Sequence, residues 1–301
     1  MAVILITGVG LISTHLGVVL KKNGHEVRYL SQNPSKHKNL IVFKWHIQDS
    51  YIDKLALKSV THIIHLAGAN IITKRWTQKR KNEIIESRVN TTTLLFNSIK
   101  KTNNSLKHFI ATSATGFYGL SNSTEVFSEK SNSSNDFISI VCQKWEIAIN
   151  QFNTLNIPTT ILRTGVVFSQ KGGAFINLIK PIKLGFGAIL GNGEQYIPWI
   201  HIDDLCAIYT AAIESTNFVG TFNAVAPEHI TNSKITKTLA KKLNKALWLP
   251  NIPKFILNLF FGQRSILLLS GSAVSSNKLI KTGFGFKYPT FKEALNHLLQ
   301  K

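Results

Sequence analysis

Apolar and polar positions alternate in blocks along the first half of the chain. Val3-Ile4-Leu5-Ile6-Thr7 is almost wholly apolar and stops at Gly8, the pattern of a strand buried on both faces. Leu11–Lys22 carries its apolar residues at helical spacing, and Glu26–Leu30 reads as a second strand. Further strands are expected over Leu40–Trp45, Thr61–Leu66, Lys107–Ser113 and Thr159–Val167. Helices are expected over Lys79–Lys100, with Ile84, Ile85, Val89, Leu94, Leu95 and Ile99 on one face, and over Asn135–Phe152. Regular alternation of strand and helix predicts an α/β fold with a doubly wound parallel sheet. In such sheets ligands lie beyond the carboxyl ends of the strands. Here those ends are Thr7-Gly8, Ser31-Gln32, Leu66-Ala67-Gly68, Thr112-Ser113-Ala114 and Arg163-Thr164-Gly165. Topology alone brings them to one edge.

The first turn adds chemistry to that edge. Gly8-Val9-Gly10-Leu11-Ile12-Ser13 follows a strand and opens a helix, the context of a Rossmann-type dinucleotide turn. Its glycines let the backbone approach a pyrophosphate, which then rests on the amides of the helix N-terminus. Gly8, Gly10, Leu11 and Ile12 are the expected pyrophosphate cradle. Ser13 occupies the third glycine position, where its Cβ is expected to push helix and strand apart.

After Ser169 the alternation loosens, so the chain divides into a dinucleotide-binding region at 1–168 and a substrate-binding and C-terminal α/β lobe at 169–301, with some later segments returning to the first. Trp199-Ile200-His201-Ile202-Asp203-Asp204-Leu205 joins a strand to a helix, with Asp203 or Asp204 as the expected N-cap. The leucine-rich helices after Trp248, with Phe255, Leu257, Leu259, Phe260, Ile266, Leu267 and Leu268, are expected to pack over the carboxyl edge and close the substrate pocket.

The chain has 301 residues, 44% of them hydrophobic, within the range of ordinary globular proteins. The longest apolar candidate for a membrane span, Leu247–Phe261, is broken by Pro250 and Pro253 and carries Lys254. No basic leader precedes the first strand, so a cytoplasmic protein with no membrane segment is expected. Cys142 and Cys206 read as buried thiols of a reducing compartment. The net charge of +20 invites a nucleic-acid reading, but no basic–aromatic array or zinc finger accompanies it. The Lys74–Lys81 cluster, expected on a helix, reads as a solvated face. A small-molecule substrate is expected and nucleic acid is not; nothing in the pattern sets the oligomeric state. His65 and His201 fall at strand ends as core or capping groups. No second histidine or carboxylate stands at metal-ligand spacing from either.

Several segments together resemble a known group: Leu5-Ile6-Thr7-Gly8, His65-Leu66-Ala67-Gly68-Ala69-Asn70, Arg75-Trp76-Thr77, Ser87-Arg88-Val89-Asn90-Thr91-Thr92, Phe117-Tyr118-Gly119, Leu162-Arg163-Thr164-Gly165, Trp199 to Leu205 and Lys281 to Thr290. They resemble the atypical short-chain dehydrogenase/reductases of the nucleoside-diphosphate-sugar epimerase-like family, over essentially the whole chain. The resemblance implies an NADP(H) or NAD(H) cofactor and a family-specific C-terminal domain at about 248–298. It also implies that Glu83 and Arg88 lie against the cofactor, beside Ser31, Gln32, Leu66, Ala67, Gly68 and Arg163.

The chain departs from the group in two places: its glycine loop is one residue shorter, and Gln32 stands where an arginine often pairs with a 2′-phosphate, with Lys36 or Lys38 to supply charge instead. It also lacks the Tyr-x-x-x-Lys proton relay of hydride-transferring relatives, since Ile138 and Cys142 occupy those positions. Ser113 and Tyr118 are left as the catalytic candidates. The expected function is that of an oxidoreductase or epimerase acting on an unidentified small molecule such as a nucleotide sugar. The alternative is a non-catalytic nucleotide-binding regulator linked to cell division.

Overall fold

A computed structural model describes residues 1–102, 106–120, 125–215 and 217–300. In chain order the elements are β1 (Val3–Thr7), α1 (Leu11–Lys22), β2 (Glu26–Ser31), β3 (Val42–His46), β4 (Tyr51–Ile52), α2 (Lys54–Leu57), β5 (His62–His65), α3 (Gln78–Lys101), β6 (His108–Ala114), β7 (Val126–Phe127), α4 (Phe137–Asn150), β8 (Thr159–Thr164), β9 (Val166–Ser169) and β10 (Gly172–Gly173). They continue with α5 (Ala174–Lys183), β11 (Trp199–His201), α6 (Ile202–Glu214), β12 (Gly220–Ala224), α7 (Asn232–Lys242), α8 (Lys254–Phe261), α9 (Ile266–Leu269), β13 (Ala273–Val274), α10 (Asn277–Ile280) and α11 (Phe291–Leu298).

Eight strands form one sheet in the order β12-β8-β6-β5-β1-β2-β3-β4. All neighbours run parallel except β3 and β4. This is the doubly wound α/β fold that the strand–helix alternation predicts. Alternate residues of β1 face opposite layers. Ile4 and Ile6 pack with Leu16 and Leu20 of α1 and Leu205 and Tyr209 of α6. Leu5 packs with Leu95 of α3 and Trp145 of α4. A third core, with Phe168, Phe175, Trp199, Leu239 and Phe291, gathers α5, α7 and α11. From β1 the chain first builds outward through β2 and β3, then crosses back to β5 and β6. The switch point therefore falls between Thr7 and His65, which are paired in register.

Four local expectations change. The strand expected over Thr159–Val167 breaks at Gly165 into β8, in the main sheet, and β9, in a three-stranded sheet with β10 and β11. A side chain at Gly165 would stand 2.5 Å from the Pro198 carbonyl oxygen, so the crossing requires glycine. The Lys74–Lys81 cluster lies partly in a loop, because α3 begins at Gln78, capped by the Thr77 hydroxyl accepting from the Arg80 amide. The cap of α6 is His201, whose Nδ1 accepts the Asp203 amide at 3.1 Å. Asp204 instead accepts the amides of Lys287 and Tyr288 at 2.8 and 3.0 Å and ties down the turn before α11.

Ser13 does not hold α1 off the sheet. It is buried, and its hydroxyl accepts the Gly10 amide at 2.7 Å. The close approach comes one turn later at Gly17, where a Cβ would meet the Tyr29 hydroxyl at 1.6 Å. Among the described residues no helix is long and apolar enough to cross a membrane.

Candidate functional site

The carboxyl ends of β1 and β5 form a cradle. Gly8 has φ +79, a left-handed conformation, and a Cβ there would sit 3.5 Å from Ala67 Cα. Gly10 is extended, with φ −135 and ψ −169, and a side chain there would meet nothing within 4 Å. The space above Gly10 is open. The amides of Leu11 and Ile12 at the start of α1 have no acceptor among the described residues. Free amides and the positive end of a 12-residue helix favour an anion at this point.

A buried lock holds the two strand ends together. The Thr7 hydroxyl accepts the amides of Leu66 and Ala67 at 3.0 and 3.1 Å. Its single proton is therefore donated to His65 Nδ1, 2.8 Å away. On the far side of the ring, the Thr92 hydroxyl donates to the Arg88 carbonyl at 2.7 Å and accepts from His65 Nε2–H at 3.0 Å. These roles fix His65 as the neutral Nε2–H tautomer. Burial and the nearby Arg88 cation lower its pKa to about 3.

Arg88 lies under the loop that leaves β5. A Cβ on Gly68 would stand 3.1 Å from its guanidinium carbon. The guanidinium donates to the carbonyls of Ala69 and Ile84 at 3.2 and 3.0 Å and lies over the Trp145 ring, 5.0 Å from its centroid. It has no carboxylate partner among the described residues, and desolvation lowers its pKa to about 10. A partly buried cation without a counterion suits an anionic or strongly polar ligand. Glu83 faces outward instead. It pairs with Arg80 at 2.8 Å, and that bond holds its carboxyl below the usual range. At the end of β2, the Ser31 hydroxyl accepts the Asn33 amide at 3.1 Å. Gln32, Lys36 and Lys38 are exposed beside it.

Ser113, Tyr118 and Arg163 meet in a second, fully buried network. Arg163 donates through Nε and one terminal nitrogen to both Glu146 oxygens, at 2.9 and 2.8 Å. Ser113 donates to Glu146 Oε1 at 2.7 Å. Arg163 also donates to the Tyr118 hydroxyl at 3.0 Å, and Tyr118 donates to Asn223 Oδ1 at 2.6 Å. The guanidinium stacks 3.4 Å from the centre of the Phe117 ring. Burial raises the Tyr118 pKa, the neighbouring Arg163 opposing it. Phe127, from the small β7–β13 sheet, stacks on the Tyr118 ring at 5.4 Å.

Arg163 is thus spent on Glu146 and Tyr118, while the expectation had placed it against the cofactor. Ile138 and Cys142 lie beneath Gly116, and burial pushes the Cys142 thiol up to about 12. Glu146 and Asn223 are the members that the sequence reading missed. Glu146 did leave a signal, a carboxylate on the apolar face that Ile138, Val141, Cys142, Trp145 and Ile149 define at helical spacing.

Against the expectation that no second ligand stands near His201, the fold brings Asp203 and His297 of α11 to it, with one donor atom from each within 4.8 Å of the others. The donor set does not suit a metal. His201 Nδ1 already accepts the Asp203 amide, so its Nε2 carries the proton and donates to His297 Nδ1 at 3.1 Å. Ligation through Nε2 would require an imidazolate or loss of the helix cap.

Four buried histidines are held neutral. Burial is the first cause at each, lowering the pKa from 6.5 to about 4 at His62, His108 and His201 and to about 3 at His65. The unfolded chain, with ordinary histidines, takes up more protons between about pH 6.5 and 4. Stability is therefore complete above that window and is lost as pH falls through it. Calorimetry across this range is expected to show Tm level above neutrality and dropping steeply below pH 6. A Tm that stays flat down to pH 4.5 contradicts the assignment.

A doubly wound sheet with a glycine cradle at its switch point defines a dinucleotide-binding protein of the dehydrogenase and epimerase class. The chain belongs to the NAD dependent epimerase/dehydratase family, whose model matches residues 4–225. Residues 252–298 match a domain of unknown function, DUF1731. The chain is 33% identical to the human epimerase family protein SDR39U1 over 298 residues, 97% of each chain. It is 32% identical to the epimerase family protein YfhF of Bacillus subtilis over 294 residues, 97% of this chain and 96% of that one. The crystal structure of human SDR39U1 isoform 2 with NADPH superposes with a TM-score of 0.87 at 31% identity, covering 98% of both chains. A UDP-glucuronic acid 4-epimerase from Bacillus cereus, solved with UDP-glucuronic acid and NAD, shares the fold, with a TM-score of 0.74 at 21% identity over 98% of this chain and 96% of that one. The resemblance read from the motifs and the expectation of an NAD(P)(H) cofactor are both borne out at the level of the family.

Proposed function

We propose that the chain binds NADP(H) or NAD(H) along the carboxyl edge of the main sheet and serves an oxidoreductase or epimerase reaction on a small molecule. A nucleotide sugar is the substrate class that the epimerase neighbours suggest. The observation that carries the reading is the open space above Gly10 in front of the unpaired Leu11 and Ile12 amides. Gly8, Gly10, Leu11 and Ile12 would hold the pyrophosphate. Ser31 and Gln32 would take the adenosine ribose, with Lys36 and Lys38 supplying charge to a 2′-phosphate. Leu66, Ala67 and Gly68 would line the inner wall, with Arg88 fixing that loop from below. The cofactor, when bound, supplies hydride exchange at its nicotinamide ring.

In this reading Ser113, Tyr118 and Arg163 position the site rather than move protons. Each is buried and hydrogen-bonded within the Glu146 network, and Glu83 stays on the solvent side. The proton of any reduction then comes from the substrate or from water. The same network favours a second reading, a nucleotide-binding regulator without turnover, because Ile138 and Cys142 occupy the relay positions.

Calorimetric titration with NADPH and NADH tests the binding. Both are expected to bind, NADPH the tighter, since no acidic residue lies between Glu26 and Asp49 to repel a 2′-phosphate. Absence of binding by either removes the proposal. Net NADPH oxidation, or the appearance of an epimerised sugar by NMR, in the presence of candidate sugar nucleotides separates the enzyme from the regulator, which gives neither.

A further inference from the structure

The helix α8 carries its apolar side chains on the wrong side for a lid. Leu257 faces inward at 5% exposure, while Phe255, Leu259 and Phe260 are 70%, 74% and 68% exposed. Phe255 and Leu259 are one turn apart on one face, and Phe260, near the end of the helix, is exposed as well. None of the three joins a hydrophobic core. Exposure of this size belongs to side chains that project from a convex surface. The segment is anchored from behind: Arg264 donates to the Ile72 carbonyl, and Gln195 donates to the Leu268 carbonyl at 2.8 Å. Leu257 and these polar contacts hold the segment, and Phe255, Leu259 and Phe260 point away. Trp248, 66% exposed, donates from its indole to the Gly185 carbonyl at 2.9 Å and so lies beside Leu184 and Phe186, 63% and 61% exposed.

Charge decides what this surface suits. Between Glu228 and Glu293 the chain has no acidic residue, and there is none between Glu146 and Glu194. Lys180, Lys183, Lys241, Lys242, Lys245 and Lys254 are all exposed in these stretches. Exposed aromatic and aliphatic side chains on stretches of chain that carry lysines and no carboxylates have the composition of an interfacial membrane contact. A second copy of the chain would bring the same positive charge to the same face and be repelled.

We propose that the outer face of α8, flanked by Trp248, seats the protein on the surface of an anionic lipid bilayer. The contact is peripheral, because α8 has only eight residues. Phe255, Leu259 and Phe260 enter the boundary between headgroups and acyl chains, and the lysines face anionic headgroups.

Vesicle co-sedimentation of the full chain tests this, with phosphatidylcholine alone against phosphatidylcholine mixed with phosphatidylglycerol. The chain is expected to bind the mixed vesicles, to bind less as salt rises, and to leave neutral vesicles in solution. The variant F255S/L259S/F260S is expected to bind about tenfold or more weakly, with Tm and NADPH affinity unchanged. Charge reversal at K245E/K254E, which leaves the apolar face intact, is expected to weaken binding similarly. The proposal is overturned if the parent binds neither vesicle, or if the serine variant binds as well as the parent. It is also overturned if sedimentation shows a dimer that the serine variant abolishes while the parent ignores vesicles; the face would then join two copies.

Discussion

Glu146→Ala is expected to destabilise the fold by about 3–5 kcal/mol, the cost of leaving a buried charge without its partner. Glu146 takes both donors of the Arg163 fork and the Ser113 hydroxyl. Its side chain is 9% exposed and that of Arg163 6%, so water cannot replace the carboxylate. The stranded guanidinium would remain packed against Phe117 and bonded to Tyr118. A double change, Glu146→Leu with Arg163→Met, is expected to cost less than Glu146→Ala alone, because it removes both charges and refills the space. Urea unfolding of the three proteins measures this. A loss below about 1 kcal/mol for Glu146→Ala, the scale of an exposed pair, would mean that the network contributes little.

The largest functional effect is expected from Gly10→Asp. Gly10 already has an extended backbone that any residue adopts, and no atom lies within 4 Å of a Cβ placed there. Aspartate is also a favourable residue at a helix N-cap. The variant should therefore fold with unchanged or slightly higher Tm, while its carboxylate stands where the pyrophosphate would rest. Like charges in contact there should lower NADPH affinity by about a hundredfold or more. Gly8→Ala makes the complementary control, since φ +79 strains any L side chain and it should lose stability as well. Undiminished NADPH binding by Gly10→Asp would place the cofactor elsewhere and retire the cradle.

How far the sequence could be read follows from the range of each interaction. The strands and helices of the first half were legible because periodicity is local: β1, α1 and β2 come from the one stretch Val3 to Ser31. The cradle was legible for the same reason, with Gly8, Gly10 and the start of α1 adjacent in the chain. The role of Ser13 was not, because whether its hydroxyl crowds the strand or caps an amide depends on the χ1 rotamer. The close helix–strand approach passed to Gly17 because Tyr29, twelve positions on, happens to point there.

The sequence by itself determined the α/β class, the glycine turn, the family and the absence of a Tyr-x-x-x-Lys pair at the relay positions, which Ile138 and Cys142 occupy. Those depend on residue identity at short spacing. Only the tertiary structure decided what the candidate side chains do. Ser113 meets Glu146 across 33 residues, and Tyr118 meets Asn223 across 105. In the proposed reading those contacts make two candidate proton donors buried supports. It also decided that His297 reaches His201 across 96 residues as a hydrogen-bond acceptor, and that Phe255, Leu259 and Phe260 face outward. Apolar character says that a side chain gains by leaving water. Which surface receives it is fixed by how the whole chain packs: in α8 Leu257 is buried, which leaves Phe255 and Leu259 outward, while Arg264 and Gln195 hold the segment that follows.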